Sequence, residues 1–331
     1  MKLFKFVMGM ALVMVIFAAF TITASAGEIK VALDCPPDAS KCGSYLWSKT
    51  FAEYLGSQGL AVKLFPRDAL GGEAERLDQV SQNLLEISNS DVAKAGSLDP
   101  TIFGFRLPFL IDDIDHLYRI VENTDVMAKI NTGTTPKHVR VLAIVPLGPF
   151  HGIATTKKLI KKPADFANVR MRALDRAQAK WLELWGANAV IIPWAEIYNS
   201  LQTGVCDGYM NGAIVPIMFK HTDVLKYFSS ANLAPTLRAI IASEDWYQGL
   251  SQKDRAIVDA GIREANKTVH DWANEVNKRA LDQLRAAGLE VYENTPEERE
   301  EFAKLIRPNY EEIVEPEVAK LFLKLAAAQK K

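Results

Sequence analysis

"ANVRMRALDRAQAKWLELWGANAVIIPW", residues 167–194, reads as one complete strand–helix–strand unit. Val169, Met171 and Ala173 interleave with Arg170 and Arg172, a period of two that belongs to a strand and puts both guanidinium groups on one face. "RAQAKWLELWGA" follows as a helix, with Trp181 and Trp185 one turn apart on its core side. "NAVIIP" is the next strand. Two arginines at the end of a strand, just before a helix, stand where open α/β sheets collect ligands.

The same alternation runs outward in both directions. Upstream, strands at 28–34, 61–66, 86–91 and 139–147 alternate with helices at 43–59, 71–85 and 113–133. Downstream come the helix "WAEIYNSLQTG" (194–204), the short strand "CDGYMN" (206–211) and "LRAIIAS" (237–243). Residues 251–288 stay helically periodic for more than thirty residues, opened by Ser251 with Asp254 three positions later. Repeated βα units predict an α/β fold with largely parallel sheets. Ligand contacts are then expected at strand carboxyl ends: Cys35 to Ser40, Asn89 to Asp91, Arg172 and Asn211.

Residues 1–26 carry Lys2 and Lys5, an apolar run from Phe6 to Phe20, and Ala24-Ser25-Ala26, the pattern of a cleaved signal peptide. Cleavage would put the rest of the chain outside the cytoplasm, not membrane-spanning. It would also take the net charge from −1 to −3 by removing the two lysines. An acidic balance gives no reason to expect a nucleic acid partner. The 305 residues left of 331 exceed what one core usually holds, so two lobes are expected. Of three cysteines, Cys35 and Cys42 form a plausible disulfide in an oxidising compartment, with two unpaired thiols the alternative, and Cys206 reads as a small buried residue.

Enzyme signatures are missing. There is no Gly-x-Ser-x-Gly elbow, His-Glu-x-x-His, P-loop or Gly-x-Gly-x-x-Gly. The five histidines (116, 138, 151, 221 and 270) show no metal-ligand spacing, so neither a metal nor a cofactor is expected. A binder is favoured over a secreted hydrolase or lyase.

"VKLFPRDALGGEAERLDQV", "RLPFLIDDIDHLYRI", "IKKPADFANVRMRAL" and "PWAEIYNSLQTGVCDGYMN" occur in one order along the chain. In that order and spacing the chain resembles solute-binding proteins of the DctP type, the periplasmic subunits of tripartite ATP-independent periplasmic (TRAP) transporters. The last stretch is the most specific, similar to Pro-x-x-Glu-x-Tyr-x-x-Leu-Gln-x-Gly-x-x-Asp-Gly-x-x-Asn. The resemblance implies a two-lobed periplasmic binding protein that closes like a flytrap, with a long helix spanning both lobes. Residues 27–148 plus about 237–276 would form lobe I, and 149–236 plus about 277–331 lobe II. It implies delivery of an organic acid to a small and a large membrane subunit; a module feeding a membrane sensor would use the same cleft.

By the same resemblance Arg172 pairs with the ligand carboxylate, as its planar fork suits, and Asn211 bonds the ligand's acid or hydroxyl end. Arg170 falls at a surface position. Glu196 orients an arginine from behind, and Glu73 is a candidate polar contact beside its helix start, with Asn89 from the same lobe. "LGPFHGIATT" puts His151 where many members carry a second arginine, which argues against a dicarboxylate. His151 is expected to hydrogen-bond the acid group and charge on binding, so affinity would fall as pH climbs from about 6 to 8. Trp194, with Trp47 and Phe150 as further candidates, would cover an apolar or aromatic part of a monocarboxylate or 2-oxo acid. Gly212, where proline is common, is expected to loosen its loop.

Overall fold

The computed structural model describes residues 27–330; the signal peptide read at 1–26 lies outside them. Eleven strands build two sheets: β1 (Ile29–Ala32), β2 (Val62–Phe65), β3 (Ile87–Asp91), β4 (Val139–Pro146), β5 (His151–Thr155), β6 (Arg170–Ala173), β7 (Asn188–Ile191), β8 (Gly208–Gly212), β9 (Tyr227–Ser230), β10 (Leu237–Ser243) and β11 (Glu290–Glu293). The first sheet has the order β2-β1-β3-β10-β4 and the second β11-β9-β5-β8-β6-β7. The opening unit folds as read: β6 and β7 pair in parallel, Arg172 opposite Val190, across the helix Arg176–Leu184. Asp175 caps that helix by accepting from the Gln178 N–H at 2.9 Å.

Each sheet is parallel except for one strand. β10 runs antiparallel to β3 and β4, and β5 antiparallel to β8 and β9. These are the two strands that a short crossing leads into from the other lobe, β5 after β4 and β10 after β9. A chain leaving the carboxyl end of a parallel strand emerges on the cleft side. It therefore begins its next strand at the cleft and runs away from it, opposite to its neighbours. The two crossings are bonded together: Leu147 N–H donates to Thr236 O at 2.8 Å, His151 N–H to Ala234 O at 2.7 Å, and Thr236 Oγ1 to Pro149 O at 2.6 Å.

The long helix, Gln252–Ala286, is 35 residues and thus about 52 Å long. Its buried residues follow a three–four spacing from Val258 to Leu284. Val258, Ala265 and Val269 belong to the core that holds Trp47 and Phe51, whereas Ala280, Leu281 and Leu284 belong to the core that holds Tyr209 and Phe228. One helix thus serves both lobes. Gly43 sits where the first helix, the crossing and the long helix meet; an added Cβ would lie 2.0 Å from Pro146 O and 2.8 Å from the Trp272 ring. Gly212 is equally confined, its virtual Cβ 2.6 Å from Pro149 O, so it packs against a crossing and does not loosen its loop.

Three details differ from the sequence reading. β5, β9 and β11 are extra strands of five, four and four residues, the last two paired in parallel with each other. Such short runs carry too little alternation to stand out from loops. The C-terminal helix Pro316–Gln329 packs on the first lobe, not on the second: Phe322 meets Phe105 edge-on at 4.8 Å, and His116 Nε2 lies 3.0 Å from Ala326 O. Its apolar face, Val318, Ala319, Phe322 and Leu325, is buried there. Trp47 stacks on Phe51 at 4.9 Å and donates to Asn266 Oδ1 at 2.7 Å, inside a core and not in the cavity lining.

Candidate functional site

The carboxyl ends of both sheets face a cavity of about 170 Å³, small beside the roughly 300–1,000 Å³ of a drug-sized site. Its lining brings together Arg172, Asn211, His151, Trp194 and Glu73 from widely separated segments. Arg106, Gln178, Trp181, Phe219 and Arg238 join them.

Arg172 ends β6 on the cleft side and is 2% exposed. Its Nε donates to Ile192 O at 2.9 Å, which fixes the guanidinium in the β6–β7 frame. Its carbon centre lies 5.7 Å from the Trp194 ring. Among the described residues Nη2 is buried with no hydrogen-bond partner, and no carboxylate forms an ion pair with it. Burial lowers its pKa to about 10, so it remains a cation at neutral pH. Arg170, two residues earlier, stands at the far end of the strand. It pairs with Asp207 (Nη2 to Oδ1, 3.3 Å) on the surface, while the Asp207 carboxylate also accepts the Arg170 N–H at 2.8 Å.

The other buried cations of the lining are already matched. Arg106 gives both terminal nitrogens to Asp175, at 2.7 and 3.2 Å. Arg238 is clamped between Asp34 and Asp91, the second at 2.9 Å. Burial alone would lower the Arg238 pKa, but the carboxylates of Asp91, Asp34 and Glu73 outweigh it and raise it. Arg76 spends its nitrogens on Ser88 Oγ and the carbonyls of Gly71 and Asn89.

His151 begins β5 with Nδ1 buried and unpartnered among the described residues. Burial, then the Arg106 guanidinium, with Arg238 and Arg172 adding, push its pKa down to about 3. In the ligand-free protein the ring is therefore neutral across the physiological range, first because it is buried and then because guanidinium groups face it, which counts against the expected charging on binding. Trp181, read as core, is 1% exposed yet borders the cavity, with Nε1 lacking a partner among the described residues. Trp185 is core as read; its Nε1 donates to Phe302 O at 3.0 Å. Trp194 packs edge-on against Phe219 at 5.0 Å and Tyr209 at 5.8 Å, making an aromatic wall. Asn211 uses Oδ1 to accept the Gly212 N–H at 2.9 Å, which turns its amide nitrogen toward other partners.

Glu73 does more than decorate a helix start. Its Oε1 accepts from Ser90 Oγ at 2.9 Å and from the Asp91 N–H, tying the helix Glu73–Ser81 to the end of β3. Burial and the nearby Asp91 raise its pKa. Besides Trp47, three predicted residues lie outside the lining. Asn89 is fully buried, its amide donating to Ser44 O at 3.2 Å and Ser48 Oγ at 3.1 Å, so it fastens a strand to a helix. Phe150 packs into the core beneath the crossing. Glu196 is exposed, and the Ile192 carbonyl orients Arg172 in its place. The disulfide Cys35–Cys42 closes the loop after β1, and Cys206 is free and buried. Arg106, Asp175 and Arg238 were missed because their pairings join positions 69 to 204 residues apart.

A family model described as DctP, bacterial extracellular solute-binding protein, family 7, matches residues 42–317. The chain belongs to the DctP family. It is 26% identical over 238 residues to the ectoine-binding periplasmic protein TeaA of Halomonas elongata, covering 70% of this chain and 68% of that one. It is 24% identical over 282 residues to the C4-dicarboxylate-binding periplasmic protein DctP of Rhodobacter capsulatus, covering 84% of each. The crystal structure of a TRAP periplasmic solute-binding protein from Shewanella oneidensis with bound succinate superposes with a TM-score of 0.82 at 19% identity, covering 92% of this chain and 99% of that one. DctP-family proteins are solute-binding components of transporters, not enzymes. Among the described residues of this member, no helix is long and apolar enough to cross a membrane.

Proposed function

We propose that this DctP-family protein captures a small organic acid bearing one carboxylate, a monocarboxylate or 2-oxo acid with an apolar or aromatic tail. It would deliver that acid to the membrane subunits of a TRAP transporter. The observation that carries the reading is that three residues lining one cavity, Arg172, Trp181 and His151, each hold a buried side-chain nitrogen (Nη2, Nε1 and Nδ1) with no partner among the described residues. Leaving such groups unsatisfied is costly, and an acceptor-rich carboxylate relieves it. Arg172 supplies the charge and the fork; Asn211 and Trp181 supply neutral donors. Trp194, Phe219, Val215 and Leu147 offer an apolar seat for the rest of the molecule. Arg106 and Arg238, the other buried guanidiniums paired with carboxylates, are neutralised inside the protein, so a second carboxylate finds no equivalent partner. Relatives named as binding ectoine or C4-dicarboxylates support a small polar metabolite as ligand, and the charge pairing here supports the narrower reading.

Secretion through residues 1–26 would place the protein in the periplasm, the location printed in the names of those two relatives. A thermal-shift screen against mono- and dicarboxylates, 2-oxo acids and phenyl or indole acids tests the proposal, since ligand binding to the folded state raises the melting temperature. Stabilisation by monoacids is expected; stabilisation only by diacids, or by uncharged solutes, would overturn it.

A further inference from the structure

The ion pair between Arg106 and Asp175 joins the two lobes. Arg106 ends the 3-10 segment Pro100–Arg106 beside the first sheet, and Asp175 caps the helix that follows β6 of the second. The pair is bidentate, at 2.7 and 3.2 Å, and the Arg106 side chain is only 8% exposed. Arg106 also borders the ligand cavity and lies 6.0 Å from the ring of Trp181, whose indole nitrogen is one of the unpartnered donors there. The cavity therefore contains a second buried arginine besides Arg172 whose fork would suit a carboxylate, and a protein side chain already occupies that fork.

We propose that Asp175 is a specificity-determining residue: by holding both terminal nitrogens of Arg106 it masks a second anion anchor and excludes dicarboxylates from the cleft. The inference rests on the reading of Arg172 as the ligand's carboxylate partner. A diacid bound through Arg172 would have to bring its second carboxylate toward an Arg106 that is already neutralised, close to the Asp175 charge. A monoacid brings no such charge and is unaffected. Arg238, the other buried guanidinium held by carboxylates, has two of them, so removing one frees no comparable fork. Arg106 has one partner, and a single substitution unmasks it.

The test is a matched pair of ligands, 2-oxopentanoate and 2-oxoglutarate, which share a five-carbon chain and differ in a terminal methyl against a terminal carboxylate. Each is titrated calorimetrically into the wild-type protein and into Asp175→Asn, which keeps an oxygen to cap the helix. Asp175→Asn is expected to raise the 2-oxoglutarate to 2-oxopentanoate affinity ratio at least tenfold. Asp175→Glu should leave the ratio near wild type, and adding Arg106→Gln to Asp175→Asn should abolish the gain. A merely structural role for Asp175 would weaken both acids alike, so a ratio unchanged within threefold overturns the inference. So does a folded Asp175→Asn that binds neither acid. If Asp175→Asn fails to fold, Asp175→Ser keeps the capping oxygen and is read in the same way. Failure of the underlying reading shows separately, as monoacid binding that survives Arg172→Lys undiminished.

Discussion

Arg172 is the residue on which the proposed binding chemistry turns, and its neighbours explain why lysine would be a poor replacement. The Ile192 carbonyl takes Nε and leaves the two terminal nitrogens to meet a planar carboxylate, a geometry that an ammonium lacks. Arg172→Lys is expected to weaken acid binding by about 2 kcal/mol, roughly thirty-fold, measured by calorimetry with melting temperature as the control for folding. His151 gives a prediction of the opposite kind. With its pKa pushed down to about 3, the ring stays neutral on both sides of neutrality, so acid affinity should be flat between pH 6 and 8. A rise in affinity toward pH 6 would restore the charging histidine. Stability should behave differently. His151 and His221, the latter lowered to about 4 by burial, bind protons in the unfolded chain near pH 6.5 but not in the folded one. Their contribution is complete above about pH 6.5 and is lost as pH falls toward those lower values. Urea unfolding at pH 7.5 and pH 5 should show a smaller acid loss in a His151→Gln, His221→Asn variant than in wild type.

Among the elements, the loop after β1 and the start of the first helix meet the crossing that joins the lobes. The Cys35–Cys42 bridge closes a loop across a sequence separation of 7, for which chain entropy predicts about 2.5 kcal/mol. The double variant Cys35→Ala, Cys42→Ala should lose an amount of that order in denaturant unfolding. Gly43, whose N–H donates to Leu147 O at 2.8 Å, is a packing constraint and not a flexible point. Its added Cβ would meet the backbone oxygen of Pro146, which cannot rotate away. Gly43→Ala should therefore cost about 1–3 kcal/mol and lower the melting temperature even in the absence of ligand. The periodicity of the long helix was plain in the sequence because 35 residues repeat the signal many times. β9 and β11 were not, because four residues each do not repeat it enough.

At the scale of the whole molecule, four connections hold the lobes: the two crossings, bonded to each other, the long helix that enters both cores, and the return of the C-terminal helix to the first lobe. The Arg106–Asp175 pair and the Arg67 guanidinium, 5.3 Å from the Phe219 ring, bridge the cleft itself. Bending at the crossings with ligand contacts on both sides is the closure expected of such a hinge. A saturating acid should lower the radius of gyration in small-angle scattering. At one hundred times Kd it should also raise stability by about 2.7 kcal/mol, with both effects weakened in Arg172→Lys.

Local pattern was enough to place Arg172 at the end of a strand; the family resemblance separated it from Arg170 and marked Asn211, His151, Trp194 and Glu73 as candidates for one cleft. Period and turn chemistry are properties of neighbouring residues, so the chain carries them openly. Charge pairing is not such a property. Whether Arg106 is free or held by Asp175, whether His151 titrates, and whether Asn89 meets a ligand or Ser44 depend on groups that folding brings together from opposite lobes or distant strands. Burial then strengthens every one of those encounters, which is why the three-dimensional structure alone shows which guanidinium of the cavity lining keeps an unpartnered nitrogen among the described residues.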